Sequence, residues 1–174
     1  DAYSYGYLRF DLKDLPKDSK ITKADLLLTH TADPAYTLSL VKDNPLEVRP
    51  LKGVFTEKDW EYDLVTKISP DEENGSVLGS AHPETINADG KTFVLTIDLL
   101  KGPGAFAKAA VGGQALHVAL TSKISPEVGG QRAVYKVYSK DAETEANRPK
   151  LVLSYEPAES LHADGGVVAH AAAP

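Results

Sequence analysis

The chain is written in short runs where apolar and polar residues take turns, and glycine and proline cut those runs before they grow long. Thr92-Phe93-Val94-Leu95-Thr96-Ile97-Asp98-Leu99 is the clearest: β-branched and aromatic residues at strand spacing, entered from Asn87-Ala88-Asp89-Gly90, a hairpin-type turn. Tyr5 to Leu12 alternates in the same way, with Tyr7, Arg9 and Asp11 on one face and Leu8, Phe10 and Leu12 on the other. Ile21 to Thr31 sets Ala24, Leu26 and Leu28 against Lys23, Asp25 and Leu27. Strands are also expected over Tyr36–Val41, Ala115–Thr121, Ala133–Tyr138 and Leu151–Tyr155. Short strands, frequent Gly/Pro turns and no alternation of strands with helices predict an all-β fold. The expected form is an antiparallel β-sandwich or jelly roll with short helical insertions.

The breakers organise the rest. Asp14-Leu15-Pro16-Lys17-Asp18 is a turn, and Asp33-Pro34 ends a strand. Pro45 and Pro50 chop the next stretch and favour edge positions over central ones. Residues 57–90 are the least strand-like; Thr56-Glu57-Lys58-Asp59 before Trp60 caps one short helix, and Ala105 to Val111 forms another. A chain of 174 residues with 42% hydrophobic residues supports one packed domain, expected over 1–157. Residues 158–174 are rich in Ala, Gly and His and have little to bury. Within them Val167-Val168-Ala169 is short and flat enough to add to a sheet as an edge strand.

Charge and composition narrow the function. A formal net charge of -6 offers no basic face for nucleic-acid phosphates. There is no cysteine, so disulfides, thiolate chemistry and zinc–thiolate sites are excluded. No apolar run approaches the ~20 residues that span a bilayer, and the lysines and arginines are scattered. There is no methionine, and the chain starts at Asp1. A mature secreted protein, its signal peptide removed, is the expectation, and the place is extracellular or at the cell surface.

Three blocks resemble a secreted β-sandwich family, the DNRLRE-type domains, some of which are classed as carbohydrate-binding modules. The first is Tyr7-Leu8-Arg9-Phe10-Asp11-Leu12 with Leu15-Pro16 and Ile21-Thr22-Lys23-Ala24-Asp25-Leu26. The second is Trp60-Glu61 with Val65-Thr66 and Pro70, without the family's second Trp. The third is Tyr138-Ser139-Lys140-Asp141 and Arg148-Pro149-Lys150-Leu151-Val152-Leu153-Ser154-Tyr155. Together they run from Gly6 to Tyr155, and the resemblance implies a domain that binds or builds and does not catalyse. Family members carry more residues before the first of these strands, where only Asp1 to Tyr5 stand here, while residues 158–174 are extra. A sandwich short of a strand exposes backbone and an apolar groove. That mismatch raises head-to-tail polymerisation, with Val167, Val168 and Ala169 as the donated strand.

No catalytic pattern stands out: there is no Gly-x-Ser-x-Gly, no His-Glu-x-x-His and no phosphate-binding glycine loop. Asp59 with Glu61, or Asp71 with Glu73, are carboxylate pairs of the kind glycoside hydrolysis uses, yet they read as solvated loop residues. His117, between Leu116 and Val118, reads as a packed residue, and His162 and His170 as surface or subunit contacts. Calcium is the one cofactor the sequence offers, on hard oxygens of two loops, Asp71, Glu73 and Asn74, and Asp141 and Glu143; no EF-hand pattern is present, and solvated acidic loops are the plainer reading. For a sugar, Trp60, Tyr62 and Tyr36 supply stacking faces, and Arg132 and Lys136 supply cations for an acidic polysaccharide. The expected function is a non-catalytic extracellular structural subunit that assembles with itself into a filament or matrix by strand exchange. The alternative is a carbohydrate-binding module for an acidic polysaccharide.

Overall fold

The computed structural model describes residues 6–16, 18–32, 38–57, 69–111, 114–122, 135–156 and 165–170. They form two antiparallel sheets packed face to face, the expected sandwich, with very little helix. The first sheet has β1 (Gly6–Asp11), β7 (Ala115–Thr121), β3 (Leu46–Pro50) and β4 (Gly79–Ala81) in that order, with β6 (Ala110–Val111) also on β7. The second has β5 (Thr92–Asp98), β2 (Lys20–Thr31), β8 (Lys150–Glu156) and β9 (Gly165–His170). Successive strands repeatedly cross from one layer to the other, so the core is made by residues far apart in sequence.

Period two decides which residues enter that core. In β2, Ala24, Leu26 and Leu28 are buried, and in β5 Phe93, Leu95 and Ile97 are buried while Val94, Thr96 and Asp98 are exposed. Phe10 and Leu12 at the end of β1, Val48 of β3, and Leu116, Val118 and Leu120 of β7 face them from the first sheet. Leu151 and Leu153 of β8 complete the interior. Each such Leu or Phe is worth roughly 1.5–3 kcal/mol over leaving it in water, which is why these alternations and not the turns fix the layers.

Two central strands are each lined by a pair of neighbours set end to end. β7 carries β1 along one edge (Arg9 opposite His117); its other edge is shared by β3, opposite Val118–Thr121, and β6, opposite Ala115 and Leu116. β2 carries β5 on one edge and β8 on the other, up to Leu27. Beyond Leu27 the second edge continues with Tyr135–Tyr138. There Val137 bridges His30, Thr31 N–H donates to the Lys136 carbonyl at 3.0 Å and Tyr138 N–H to that of Thr29 at 3.0 Å.

Several elements differ from the sequence reading. Leu38–Val41 is one helical turn, α1, not a strand; Lys42 N–H reaches the Leu38 carbonyl. Four residues satisfy either period, and this stretch turns the chain from the second sheet to the first. β3 lies inside its sheet, between β7 and β4, although prolines flank it. Pro50 is its last residue, and its carbonyl still accepts from Asp71 N–H at 2.8 Å. The helix expected over 105–111 covers only Phe106–Ala109, α2, and then passes into β6. Of the strand expected over 133–138, the described part makes the single bridge at Val137. The helix expected near Trp60 falls outside the described residues.

The two margins of the sandwich are closed differently. At one, β4 lies against β5 of the opposite sheet. Gly79 is required there, because a Cβ would run into the Asp98 carbonyl and come within 3.0 Å of the Ile97 side chain. The loop after β5 seals the same margin, Gly102 N–H bonding the Leu78 carbonyl and Gly104 N–H that of Val77, both at 2.8 Å. At the other margin β1 ends the first sheet and β9 ends the second, and β9 approaches β1.

Candidate assembly edge

β8 is the strand on which this second margin depends. One edge is satisfied by β2, with Ala24, Asp25, Leu26 and Leu27 opposite Leu153, Val152, Leu151 and Lys150. The other is satisfied by β9, in a six-pair antiparallel register from Lys150 opposite His170 to Tyr155 opposite Gly165. Val167, Val168 and Ala169 stand opposite Leu153, Val152 and Leu151. The expected edge strand therefore forms, somewhat longer than its apolar centre, and it lies on β8 of its own chain. Leu151 and Leu153 are fully buried.

Like β1, β4, β5 and β6, β9 has one ladder among the described residues; its partner is β8, and residues 157–164 join the two in sequence. Glycine opens it twice, and Val167-Val168-Ala169 carries no charge and no proline, the devices that usually blunt a free edge. The strand can leave β8 without breaking any other pairing between described strands. Doing so uncovers the backbone of Lys150–Tyr155.

The residues singled out for calcium are not brought together. Among the described residues no three His, Asp or Glu side chains converge on a metal-sized site. The loop with Asp71, Glu73 and Asn74 is organised by Arg49 of β3. Its Nη1 donates to the carbonyls of Asp71 and Glu73, each at 3.1 Å, while Nε and Nη2 donate to Glu47 Oε2 at 3.1 and 2.7 Å. Asp71 Oδ1 accepts from Glu73 N–H at 3.2 Å. At the other loop Asp141 pairs with Lys140 Nζ at 2.9 Å, which also reaches Glu57 at 3.4 Å, and Glu143 is exposed. The hydrogen bond to Asp141, and then those to Glu57, hold the Lys140 ammonium above its usual range. Each acidic loop is thus engaged by a cation of the protein's own.

Of the sugar-binding candidates, Trp60, Tyr62, Tyr36 and Arg132 lie outside the described residues. Lys136 is described, and its backbone works as strand edge: its N–H donates to His30 Nε2 at 2.9 Å and its carbonyl accepts from Thr31. An aromatic pair that the sequence reading did not single out occurs elsewhere. Tyr7 of β1 stacks on Phe55 with centroids 5.6 Å apart, on the outer face of the first sheet, where Arg9 stands two residues along the same strand. Directly across from Arg9, His117 is buried, and Phe55 N–H donates to its Nδ1 at 3.3 Å. Burial, and then the Arg9 charge, hold the His117 ring below the usual imidazole range. Phe55 lies 62 residues from His117, so nothing local in the sequence announces this face.

No helix among the described residues is long and apolar enough to cross a membrane. Comparison of the chain with family models, with curated proteins and with solved structures finds no match, which leaves the residues themselves as the ground for a functional reading.

Proposed function

We propose that this chain is a non-catalytic extracellular structural subunit that assembles with copies of itself by exchanging β9. In the assembled form the β9 strand of one copy lies on β8 of the next, in the register it takes within one chain. The observation that carries this reading is that β9, uncharged over Val167-Val168-Ala169, ends its sheet among the described residues and has its one ladder there with β8. Exchange then conserves the β8–β9 ladder and trades an intramolecular closure for an intermolecular one. The nine steps from Glu156 to Gly165 span at most roughly 30 Å when extended, enough to reach a copy seated against the same margin. The resemblance to secreted β-sandwich domains agrees with an extracellular, non-catalytic role.

Deletion of residues 158–174 tests it. Assemblies seen by electron microscopy of the full chain should vanish while the circular dichroism of the sandwich persists. A synthetic peptide of residues 158–174 should then bind the shortened chain. Assemblies that survive the deletion would refute the reading.

A second reading, a carbohydrate-binding module for an acidic polysaccharide, is favoured by the stacked Tyr7–Phe55 pair with Arg9 on the same face. An aromatic platform beside a guanidinium suits a sugar ring with a carboxylate. Affinity electrophoresis in alginate or pectate gels tests it: the chain should be retarded and Arg9→Ala should run free, and an unretarded chain counts against this reading.

A further inference from the structure

Two buried histidines, one in each sheet, act on the chain in the same unusual way. His30 of β2 has no exposed surface, and its Nε2 accepts the backbone N–H of Lys136 at 2.9 Å. His117 of β7 is 3% exposed, and its Nδ1 accepts the backbone N–H of Phe55 at 3.3 Å. A backbone N–H can only donate. Both ring nitrogens must therefore be unprotonated, with the ring proton on Nδ1 of His30 and on Nε2 of His117. In each case the donor belongs to an irregular segment laid over a strand: residues 135–140 along the end of β2, and residues 51–57 over the outer face of β7.

The two segments are also tied to each other. Glu57, two residues after Phe55, pairs with Lys140, four residues after Lys136, at 3.4 Å. Further anchors hold each one. The Tyr135 hydroxyl donates to the Asn44 carbonyl at 2.9 Å and its ring meets His30 edge-on, while Phe55 stacks on Tyr7.

The geometry points to an acid-released latch: His30 and His117 together hold residues 135–140 and 51–57 on the sandwich, and protonation of the two rings sets both segments free. A proton on His30 Nε2 or His117 Nδ1 turns an acceptor into a donor aimed at another donor. It also places a charge where burial is nearly complete, so the segment must move to let water in.

The charged surroundings do not cancel this. Around His30 stand Phe93 of β5 and Tyr135 and Lys136 of the held segment; the charged residues Asp89 and Lys91 lie in the turn that precedes β5. Asp89 is engaged by Lys91 N–H and by the Thr92 N–H and hydroxyl. Around His117 stand Arg9 and Asp11 of β1 and the Arg49–Glu47 pair of β3, with Glu57, Lys140 and Asp141 at the junction. Arg9 disfavours a second cation beside it, and Glu47 is engaged by Arg49.

The released chain adjoins residues 58–68 and 123–134, which contain Trp60, Tyr62 and Arg132. The latch is independent of strand exchange, because β9 touches neither histidine in the ladder of its sheet.

Hydrogen exchange of the full chain, followed by NMR and referenced to its urea-unfolded form, tests the latch. Between about pH 7.5 and about pH 4.5, either side of the ordinary imidazole value, protection of the Phe55 and Lys136 amides should fall at least about tenfold. Amides of the β2–β5 ladder, Leu26 to Thr29, should hold theirs. In the double variant His30→Gln/His117→Asn a carboxamide oxygen replaces each accepting nitrogen and does not titrate, so the fall should disappear. Glu57→Gln should let the two segments open at separate pH values. Unchanged protection at Phe55 and Lys136 on acidification, or an undiminished fall in the folded double variant, would overturn the inference. Nitrogen chemical shifts of the unmodified chain at neutral pH decide independently of whether the variant folds: a proton on His30 Nε2 or His117 Nδ1 would also overturn it.

Discussion

Arg49→Met is the substitution whose cost can be worked out most fully from the structure. The guanidinium makes four hydrogen bonds: two to the carbonyls of Asp71 and Glu73, and two to one oxygen of Glu47. The side chains of Arg49 and Glu47 are only 7% and 15% exposed, so solvent screens little of the pairing. Removing the cation leaves a mostly buried carboxylate without its partner, a loss of roughly 3–5 kcal/mol, and methionine returns little of it as packing. Removing both partners, Glu47→Met/Arg49→Met, should cost only about 1–2 kcal/mol, since what then remains is two loop carbonyls without their donor. The double-mutant cycle should therefore yield a coupling of roughly 2 kcal/mol or more. Urea unfolding followed by far-ultraviolet circular dichroism measures all four corners, with m unchanged across the set if each variant keeps the fold. An Arg49→Met chain less than about 1 kcal/mol below the parent would refute the claim that this guanidinium organises the loop.

Gly79→Ala should lower the thermal midpoint by several degrees, on the order of 2 kcal/mol or more, because the β4–β5 margin must part to admit the methyl group; an unchanged midpoint would mean that this approach is not close. Acid should weaken the fold in two steps. His117, held below the usual imidazole value, keeps its full contribution above about pH 6.5 and loses it as pH falls through its lowered value, since the unfolded chain takes the proton first. Asp89 is held below the usual carboxylate value by the Thr92 hydroxyl and then by the Lys91 and Thr92 N–H groups; its turn should hold above about pH 4 and loosen below, which exchange at Lys91 and Thr92 reads directly.

Much of the sandwich was legible because its strands alternate. The faces of β1 and β2 are those the sequence predicts, and β5 and β7 fall almost where the apolar runs do. The turn before β5 was legible for a local reason: Asp89 bonds forward to Lys91 and Thr92, and Gly90 takes a φ of 65°. β3 was not, because Pro45 and Pro50 argue for an edge while its central position is set by β7 and β4, strands distant in sequence. α1 was not, because a single turn has no period to read. The acidic loops illustrate the same limit. Their composition suits calcium, whereas the groups that engage them are Arg49, 22 and 24 residues from the carbonyls it holds, and Lys140, drawn also to Glu57. His30 did leave a trace: it continues the Leu26, Leu28 series on the buried face of β2, and a histidine at such a position must find a polar partner.

The absence of cysteine makes strand exchange directly measurable. Val152 and Val168 stand opposite each other in the β8–β9 ladder, close enough for a disulfide with little movement of the backbone. In a Val152→Cys/Val168→Cys chain assembled at high protein concentration and then oxidised, a strand donated by a neighbour produces a ladder of covalent multimers on a non-reducing gel. The account predicts that ladder. A single band of internally cross-linked monomer at every concentration would contradict it.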